Sequence, residues 1–324
     1  MSLISEASLP GGGLPAGSTI ALTGATGFIG KPLCAELLRQ GFQLRALARS
    51  PQQAGYLAAR GVQLVEGDLH RPAALRQLVS GCAGVIHAAG AVRGASQADF
   101  DRINVAGTAN LLTALSSQAP GARLLMLSSL AAREPQLSWY AASKRGGESL
   151  LEKASQLDWV ILRPPAVYGP GDREMLPVFQ WMSRGIALVP GDPAARISLI
   201  HVSDLVVAIG SCLRSKACTH QTLALCDGTP GGYDWREMAA IAGAVWGRKV
   251  RLWQVPAWLL DSVARINILG ARVTGAAPML TPAKLRELRH PDWVVDNAAI
   301  TAKTAWEPRT DLRLGLQQLR KAEL

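Results

Sequence analysis

The sequence predicts an α/β fold in which a doubly wound parallel sheet carries a smaller, irregular lobe. Short apolar runs alternate with longer segments of helical spacing in the first half of the chain, a pattern typical of βαβ units. A glycine-rich turn, from Thr23 to Gly30, joins the first run to the first helical segment. After Pro164, closely spaced prolines and glycines predict loops and a change of architecture.

The apolar runs and helical segments predict the elements of the sheet half in order. Their lengths suit the buried strands of a parallel sheet and the helices that connect them. Strands are predicted over residues 18–22, 43–48, 63–66, 84–88, 123–128 and 159–163. Helices are predicted over residues 29–40, 73–79, 100–117 and 140–154. The lobe that follows is expected to lie over the carboxyl ends of the strands, where ligands bind in such sheets.

Composition indicates a globular protein. The chain has 324 residues, of which 48% are hydrophobic and 18% are charged. Its net charge is +10, but the basic residues are scattered, so no nucleic-acid partner is predicted. The positive charge would still attract anionic ligands.

Three further patterns disfavour other classes of protein. The five cysteines have no C-x-x-C spacing, so neither a disulfide framework nor a metal site is predicted. No apolar stretch is long enough to span a membrane, and the opening segment lacks the basic and apolar regions of a signal peptide. A cytoplasmic protein without a transmembrane segment is therefore expected.

The glycine-rich turn has the spacing of a dinucleotide-binding site. Gly24 allows the tight turn, Gly27 lets the backbone approach a pyrophosphate, and Gly30 permits close helix packing. Because a helix follows the turn, its N-terminus would supply amides for the phosphates. Three other residues of the turn are predicted to contact the cofactor: Thr26, Phe28 and Ile29. The sheet is therefore predicted to be of the Rossmann type.

These patterns predict a division of the chain into three parts. Residues 1–17 would form a flexible tail, and residues 18–165 would form the dinucleotide-binding Rossmann domain. Residues 166–324 would form most of a substrate-binding lobe, with strands and helices that return to the Rossmann domain.

The end of the second predicted strand indicates which dinucleotide binds. An NAD site normally carries an acid there, whereas this segment has Arg49, with Arg45 or Ser50 to assist it. Arg49 would hold a 2′-phosphate through charge-assisted hydrogen bonds, which favours NADP and leaves NAD as the alternative cofactor. These arginines could instead be solvated surface groups.

Residues after the third and fourth strands complete the predicted cofactor site. Asp68, followed by Leu69, would accept a hydrogen bond from the adenine amino group, although Asp is equally common there as a helix cap. His87 is expected to be a packed strand residue. Small residues that follow it would let the ribose and pyrophosphate lie against the backbone: Ala88, Ala89 and Gly90.

A tyrosine and a lysine at the start of a predicted helix form a candidate acid/base pair. Tyr140 and Lys144 are four residues apart, so their side chains project from the same face. The lysine ammonium would favour the phenolate and make the phenol a usable proton donor and acceptor near neutral pH. Lys144 would also bind the nicotinamide ribose. Ser129, with Ser128 as the competing candidate, would donate to a substrate oxygen during hydride transfer.

With these motifs the chain resembles the extended short-chain dehydrogenase/reductase superfamily, including its NAD-dependent epimerase/dehydratase and 3β-hydroxysteroid dehydrogenase groups. The resemblance covers nearly the whole chain. It rests on Thr23-Gly24-x-x-Gly27-x-x-Gly30, Asp68, Asn104-Val-x-Gly-Thr108, Leu127-Ser-Ser129, Tyr140 to Lys144, Arg163-Pro-Pro-Ala-Val-Tyr168-Gly-Pro-Gly171 and His201-Val-x-Asp204. It implies that Ser129, Tyr140 and Lys144 form the catalytic trio. It also implies that the segment from Pro164 to Val167 passes near the nicotinamide, and that Asn104 begins the helix beside the site and has a supporting rather than a chemical role.

Departures from the family pattern narrow the expected reaction. The dehydratases that the chain resembles carry an Asp-Glu pair directly after the serine, where this chain has Leu130 and Ala131. The nucleotide-sugar epimerases generally carry an Asn at the position of Ala166. Dehydration is therefore disfavoured, and epimerisation is a weaker assignment than reduction.

The carboxyl-terminal lobe indicates the kind of substrate. It is apolar between Leu252 and Val263, which resembles the branch of the superfamily whose substrates are lipophilic, although these residues could equally form the core of the lobe. We expect an enzyme that interconverts a ketone and a secondary alcohol on a fairly apolar small molecule. The alternatives are a sugar or nucleotide-sugar epimerase with tightly bound NAD, and a non-catalytic dinucleotide-binding protein. The helices at 100–117 and 140–154 could also form a homodimer contact, but apolar helix faces do not distinguish a dimer from a core.

Overall fold

A parallel sheet of seven strands forms the centre of the computed structural model, which describes residues 13–274, 278 and 280–322. The strands of the described residues are, in chain order, β1 (Thr19–Thr23), β2 (Gln43–Ala48), β3 (Gln63–Glu66), β4 (Gly84–His87), β5 (Arg123–Leu127), β6 (Trp159–Arg163), β7 (Ala166–Tyr168), β8 (Ile186–Val189), β9 (Arg196–Ile197), β10 (Leu199–His201), β11 (Gln221–Ala224), β12 (Arg251–Gln254) and β13 (Asp292–Trp293). The central sheet has the order β11-β6-β5-β4-β1-β2-β3. The predicted fold class, a Rossmann-type α/β sheet, is confirmed.

Helices connect the strands and cover both faces of the sheet. They are α1 (Gly30–Arg39), α2 (Gly55–Ala58), α3 (Pro72–Val79), α4 (Gln97–Asp101), α5 (Gly107–Gln118), α6 (Trp139–Lys153), α7 (Leu176–Ser183), α8 (Val202–Leu213), α9 (Trp235–Trp246), α10 (Ala257–Thr274), α11 (Pro282–Leu288), α12 (Ala298–Thr304) and α13 (Leu312–Ala322). A π-helical turn, Arg102–Ala106, joins α4 to α5.

Alternate residues of the strands enter two separate apolar cores. In β1, Ile20 and Leu22 pack with α1 and α8 on one face, whereas Ala21 packs with α3 and α5 on the other. This period of two follows from the pleat of a strand. Because both faces are covered, the strands are apolar almost throughout, as expected for a parallel sheet.

The structure differs from the predicted elements at several points. β1 spans Thr19–Thr23, one residue later than predicted at both ends, and β4 and β5 each end one residue early. The helix predicted over residues 100–117 is instead the continuous run of α4, the π-helical turn and α5. β11 joins the sheet edge next to β6 from far along the chain, so no local pattern predicted it.

The lobe has a third apolar core around Tyr168, Phe179 and Met182, to which α7, α9 and α13 contribute. Three two-stranded parallel pairs surround it: β10 with β7, β12 with β8, and β13 with β9. Each pair joins segments distant in sequence, so the lobe depends on long-range packing.

Residues 1–12 of the predicted tail lie outside the described residues. Leu14, near the end of that tail, donates from its backbone nitrogen to Leu213 O at 3.2 Å. The predicted division into tail, Rossmann domain and lobe stays a prediction. Among the described residues, no helix is both long and apolar enough to cross a membrane.

Candidate active site

The predicted site residues of the sheet half lie at one edge of the sheet. All seven strands are parallel, so the residues that follow them share the carboxyl edge. Gly24 follows β1, Arg49 follows β2, Ala88 follows β4, and Ser129 lies just beyond β5. The strand order reverses between β1 and β4, which is the usual ligand position in a doubly wound sheet.

The glycine turn is packed so closely that two of its glycines accept no side chain. A Cβ atom on Gly24, whose φ is +78°, would lie 2.6 Å from Ala89 N, and one on Gly30 would lie 2.0 Å from Gly24 O. A Cβ on Gly27 would approach only Gly24 O, at 3.3 Å. Close packing within the protein therefore requires glycine at positions 24 and 30. Gly27 leaves backbone open to a close ligand, so this turn fits a dinucleotide.

The N-terminus of α1 also suits a phosphate. Ile29 occupies the N-cap position, and in the described structure no side chain caps this helix. Thr26 and Gly27 are exposed, while Phe28 and Ile29 are half-buried. Lys31 N already donates to Gly27 O at 3.1 Å and Pro32 has no amide hydrogen, so Gly30 N is the amide at the start of α1 that can serve an anion.

A buried hydrogen-bond chain holds β1 and β4 together beneath this turn. Thr108 Oγ1 donates to Asn104 O at 2.8 Å, so it accepts from His87 Nε2 at 3.0 Å. His87 Nδ1 then accepts from Thr23 Oγ1 at 2.8 Å, and that hydroxyl accepts from Ala89 N at 3.2 Å. Burial, with the charge of Lys144, lowers the pKa of His87 to about 3. His87 is therefore a neutral, packed strand residue.

Arg49 and Arg45 differ in their surroundings. Arg49 lies exposed directly after β2. Arg45 Nη1 instead donates to backbone carbonyls at the end of α3, including Ser80 O at 2.7 Å. Arg45 thus holds α3 against β2, and Ser50 donates to Gln52 at 3.2 Å. Arg49 is left as the candidate for a 2′-phosphate.

The residues after β3 divide between a turn and the core. Asp68 Oδ1 accepts from His70 N at 2.8 Å, so this carboxylate stabilises the turn that leads to α3. Leu69 is buried and packs against Gly107, while its carbonyl accepts from Asn110 at 2.9 Å. Asp68 is half-buried, and its contact with adenine stays a prediction.

Asn104 braces the segment after β4 against the helix that carries Tyr140. Its side-chain oxygen accepts from Ala91 N at 2.8 Å, and its amide donates to Ser143 Oγ at 2.9 Å. A Cβ atom on Gly90 would lie 3.2 Å from Asn104 Oδ1 and 3.7 Å from Lys144 Nζ. Asn104 lies within the π-helical turn, in the middle of a helical run, whereas the family resemblance placed it at a helix start.

The two candidate serines have different neighbours. Ser128 Oγ lies 2.5 Å from Glu148 Oε1 in the interior, and Glu148 in turn binds Arg163 at 2.6 Å. Ser129 Oγ accepts from Ala131 N at 3.2 Å, and Ser129 is close enough to the Tyr140 phenol to lower its pKa, against the larger effect of burial. Ser129 is thus the serine beside Tyr140.

Lys144 lies one turn after Tyr140 on α6, and its side chain is buried. Its Nζ donates to Leu127 O at 2.7 Å, which holds α6 against the end of β5. Burial lowers the pKa of Lys144 to about 8, against the opposing effect of Glu148. This ammonium can therefore lose a proton near neutral pH.

A second lysine, which the sequence did not point to, lies over the Tyr140 ring. Lys284 Nζ is 5.7 Å from the ring centroid and 2.8 Å from Glu287. Burial lowers the pKa of Lys284, but the charge and hydrogen bond of Glu287 outweigh this and raise it. Burial raises the pKa of Tyr140, and the nearby Ser129 and the charge of Lys284 oppose that rise.

Glu287 also fastens α11 to the start of α6. Ser138, the N-cap of α6, accepts from Ala141 N at 3.0 Å and donates its hydroxyl proton to Glu287. Ser138 carries the ordinary signature of a helix cap, which sequence inspection could have used. Nothing local signals Glu287, which is 149 residues away.

The segment after β6 enters the lobe beside the sheet edge. Pro164 is buried, and its carbonyl accepts from Leu130 N at 2.8 Å. Val167 is half-buried in β7, where it pairs with Ile200 of β10. Their predicted contact with the nicotinamide stays a prediction.

No cluster of three or more His, Cys, Asp or Glu side chains among the described residues could hold a metal ion. All five cysteines are buried and free. Cys212 and Cys218 lie away from the carboxyl edge, at the end of α8 and in the segment after it.

Comparison with known proteins relates this geometry to a family. Residues 20–221 match the model of the NAD dependent epimerase/dehydratase family. A ceramide reductase from Caulobacter vibrioides is 36% identical over 279 residues, which cover 86% of each chain. A 2-alkyl-3-oxoalkanoate reductase from Stenotrophomonas maltophilia is 31% identical over 212 residues, which cover 58% of this chain and 63% of the other.

A solved structure shows the same fold. The UDP-glucose 4-epimerase of Thermotoga maritima superimposes with a TM-score of 0.70 at 18% identity, covering 94% of this chain and 99% of the other. The match to the family model spans more than half of the chain, and the reductase relatives support an NAD(P)-dependent oxidoreductase. The chain belongs to the NAD dependent epimerase/dehydratase family, within the predicted extended short-chain dehydrogenase/reductase superfamily.

Proposed function

We propose that the protein is an NADP-dependent reductase that converts a ketone into a secondary alcohol on an apolar, lipid-like substrate. The position of Ser129 close to Tyr140, at the same edge of the sheet as the glycine turn, carries this proposal. One substrate oxygen could contact both hydroxyl groups there. Similarity to a ceramide reductase and to a 2-alkyl-3-oxoalkanoate reductase supports a lipid ketone as the substrate class.

The side chains have complementary tasks in this reaction. When bound, the reduced nicotinamide supplies a hydride. Ser129 donates a hydrogen bond that holds the substrate carbonyl oxygen, and Tyr140 gives its phenolic proton to the same oxygen as negative charge develops there. The alcohol thus gains one hydride and one proton. Ser129 and the charge of Lys284 stabilise the phenolate that remains.

Lys144 would act behind Tyr140. Its ammonium is buried at the end of β5, close to Gly90, where a ribose hydroxyl could reach it. With a pKa of about 8, it can also exchange a proton at neutral pH. We assign it cofactor positioning and proton supply.

The assignment of NADP depends on Arg49. It is exposed at the end of β2, in a segment from Gln43 to Gln53 that contains no acid, so a 2′-phosphate would meet a cation there. Changing Arg49→Glu is expected to weaken NADPH binding at least about tenfold and to spare NADH. Arg76→Glu, on the exposed face of α3, is the control with the same charge change. Equal effects of the two substitutions would remove the support for NADP.

A direct assay separates reduction from epimerisation. Long-chain 3-oxo lipids and small hydrophobic ketones are incubated with NADPH or NADH, and cofactor absorbance is followed. The proposal expects net oxidation of NADPH with at least one lipid ketone. An epimerase would leave added cofactor unchanged while altering a sugar nucleotide. The expected cytoplasmic location and homodimer contact stay predictions.

A further inference from the structure

Exposed apolar side chains of the described residues concentrate on one stretch of the lobe. This stretch, called the apolar surface below, consists of Trp253 (63% exposed), Trp258 (70%), Leu259 (41%), Val263 (40%) and Ile266 (65%). Single exposed apolar residues are normal on a soluble protein, but a group of them on one short stretch of chain indicates an interaction site.

The helix α10 is apolar on its outer side as well as on its inner side. At 100° per residue, Trp258, Ile266 and Val263 fall within one arc of the helix. Ala264, on the opposite side, is fully buried. A helix that packs against its own protein alone shows a polar outer face, so α10 has an apolar face without a partner among the described residues.

The strand β12 extends this surface. Residues Val255 and Pro256 are all that separate it from α10. Leu252 packs toward the core of the lobe, and alternation along the strand directs Trp253 and Arg251 to the solvent side. The surface thus joins a strand and a helix.

Basic residues flank the apolar surface along the sequence. Between residues 248 and 274 the sequence has five basic residues and one acid: Arg248, Lys249, Arg251, Arg265 and Arg272 against Asp261. Asp261 is paired with Arg289 at 3.0 Å, so its charge is compensated. Among these basic residues, Arg251 and Arg265 lie exposed within the stretch itself. The chemistry that complements this face is apolar and anionic.

We propose that the apolar surface docks the protein on an anionic phospholipid bilayer, with α10 lying flat in the headgroup region. Tryptophan suits that position because its ring is apolar and its N–H is polar. Arginine side chains can extend to lipid phosphates while their stems cover apolar surface. Amphipathic helices with basic flanks bind membranes in this way, by apolar burial together with attraction to anionic lipids.

Two other occupants fit the apolar surface less well. In a symmetric dimer through this face, Arg251 and Arg265 of both copies would come close together, and like charges would repel. The chain's own residues 1–12 lead to Gly13, which lies against Arg214 after α8, and to the start of β1. That is the amino edge of the sheet, whereas the lobe contacts the carboxyl edge.

The apolar surface is linked to the Tyr140 site through α11. Arg289, at the end of α11, binds Asp261 at 3.0 Å and Ala257 O at 3.2 Å, both on α10. The same α11 carries Lys284, whose ammonium lies over the Tyr140 ring. Docking would therefore place the bilayer against the helix pair that borders the site. The inference stands on the exposed residues and does not rest on the proposed reaction.

Vesicle flotation of the full chain tests this inference. Vesicles of phosphatidylcholine are compared with vesicles that also contain phosphatidylglycerol, at low and high salt. The protein is expected to float with the anionic vesicles, and less so at high salt. The double substitution Trp258→Ser and Ile266→Ser should lower the partition at least about tenfold, because two large apolar side chains no longer enter the lipid.

Matched substitutions separate docking from general loss of hydrophobicity. Val207→Ser with Leu314→Ser changes two residues that are 37% and 41% exposed on α8 and α13, and it should leave flotation unchanged. Arg251→Ser with Arg265→Ser should weaken binding to anionic vesicles only. Thermal unfolding of each variant verifies that it is folded.

Three results would overturn the inference. The first is a wild-type protein that does not float with anionic vesicles. The second is equal flotation of wild type and the Trp258/Ile266 variant. The third is a dimer, seen by light scattering without lipid, that this variant dissociates, because a second copy would then occupy the surface.

Discussion

The sheet half and the lobe meet at Tyr140, and they build their parts of the site by different means. The sheet contributes backbone positions: Ser129 lies just beyond β5 and Gly24 follows β1, so strand topology alone brings them to one edge. The lobe contributes side chains of α11, of which Lys284 and Glu287 reach Tyr140 and Ser138 through contacts between distant segments. The first part can be read from local sequence patterns, whereas the second part depends on packing.

The largest expected effect comes from the residue that both parts share. Tyr140→Phe removes the phenolic proton and keeps the ring, so kcat for ketone reduction should fall by about a thousandfold. Dinucleotide binding, measured by fluorescence titration, should change little. Retention of more than a tenth of the activity would show that Tyr140 is not the proton donor.

The sheet part is tested next by its two serines. Ser129→Ala should lower kcat by about a hundredfold, because a hydrogen bond to the developing oxyanion is lost. Ser128→Ala is the matched control, and it should lower the free energy of unfolding, since Glu148 loses a buried partner. Kinetics and urea unfolding on both variants make the comparison. If Ser128→Ala lowered kcat and Ser129→Ala lowered only the free energy of unfolding, Ser128 would be the serine at the substrate.

The glycine turn offers a second contrast within the sheet part. Gly30→Ala puts a methyl group 2.0 Å from Gly24 O, so the free energy of unfolding should fall by about 1–3 kcal/mol or more. Gly27→Ala meets only Gly24 O, at 3.3 Å, so it should lower stability much less than Gly30→Ala while weakening dinucleotide binding by about tenfold. Calorimetry of unfolding and titration calorimetry measure the two quantities. Unchanged dinucleotide affinity in Gly27→Ala would mean that no pyrophosphate approaches this backbone.

The smallest effect is expected for the contribution of the lobe. Lys284→Met removes a positive charge that lowers the pKa of Tyr140, so that pKa should rise. Ketone reduction uses the protonated phenol and fails as pH rises through this pKa, so its upper pH limit should move upward. Alcohol oxidation uses the phenolate, and its rate below that limit should fall by roughly threefold. Lys284→Arg keeps the positive charge and should show the wild-type pH profile. An unchanged pH profile in Lys284→Met would mean that Lys284 has only a structural role.

The two halves also differ in how much the sequence predicted. The strands up to β6 and the glycine turn were predicted within a residue or two, because each depends on a local apolar run or a local spacing. β11 and the paired strands of the lobe were not, because their partners lie far along the chain. Arg45 and Arg49 look alike in the sequence, and the structure separates them because Arg45 reaches the carbonyls at the end of α3. Lys284 had no local signal, since its importance arises from its position over Tyr140.

Transfer of label from the cofactor to the product tests the proposed reduction most directly. NADPH that carries deuterium at C4 of the nicotinamide, on the transferred face, is incubated with the wild-type protein and a long-chain 3-oxo lipid. The proposal predicts that one deuterium appears on the new carbinol carbon, and that the Tyr140→Phe variant forms almost no labelled alcohol. Oxidation of NADPH without label in the lipid, or a labelled product formed equally well by Tyr140→Phe, would contradict it.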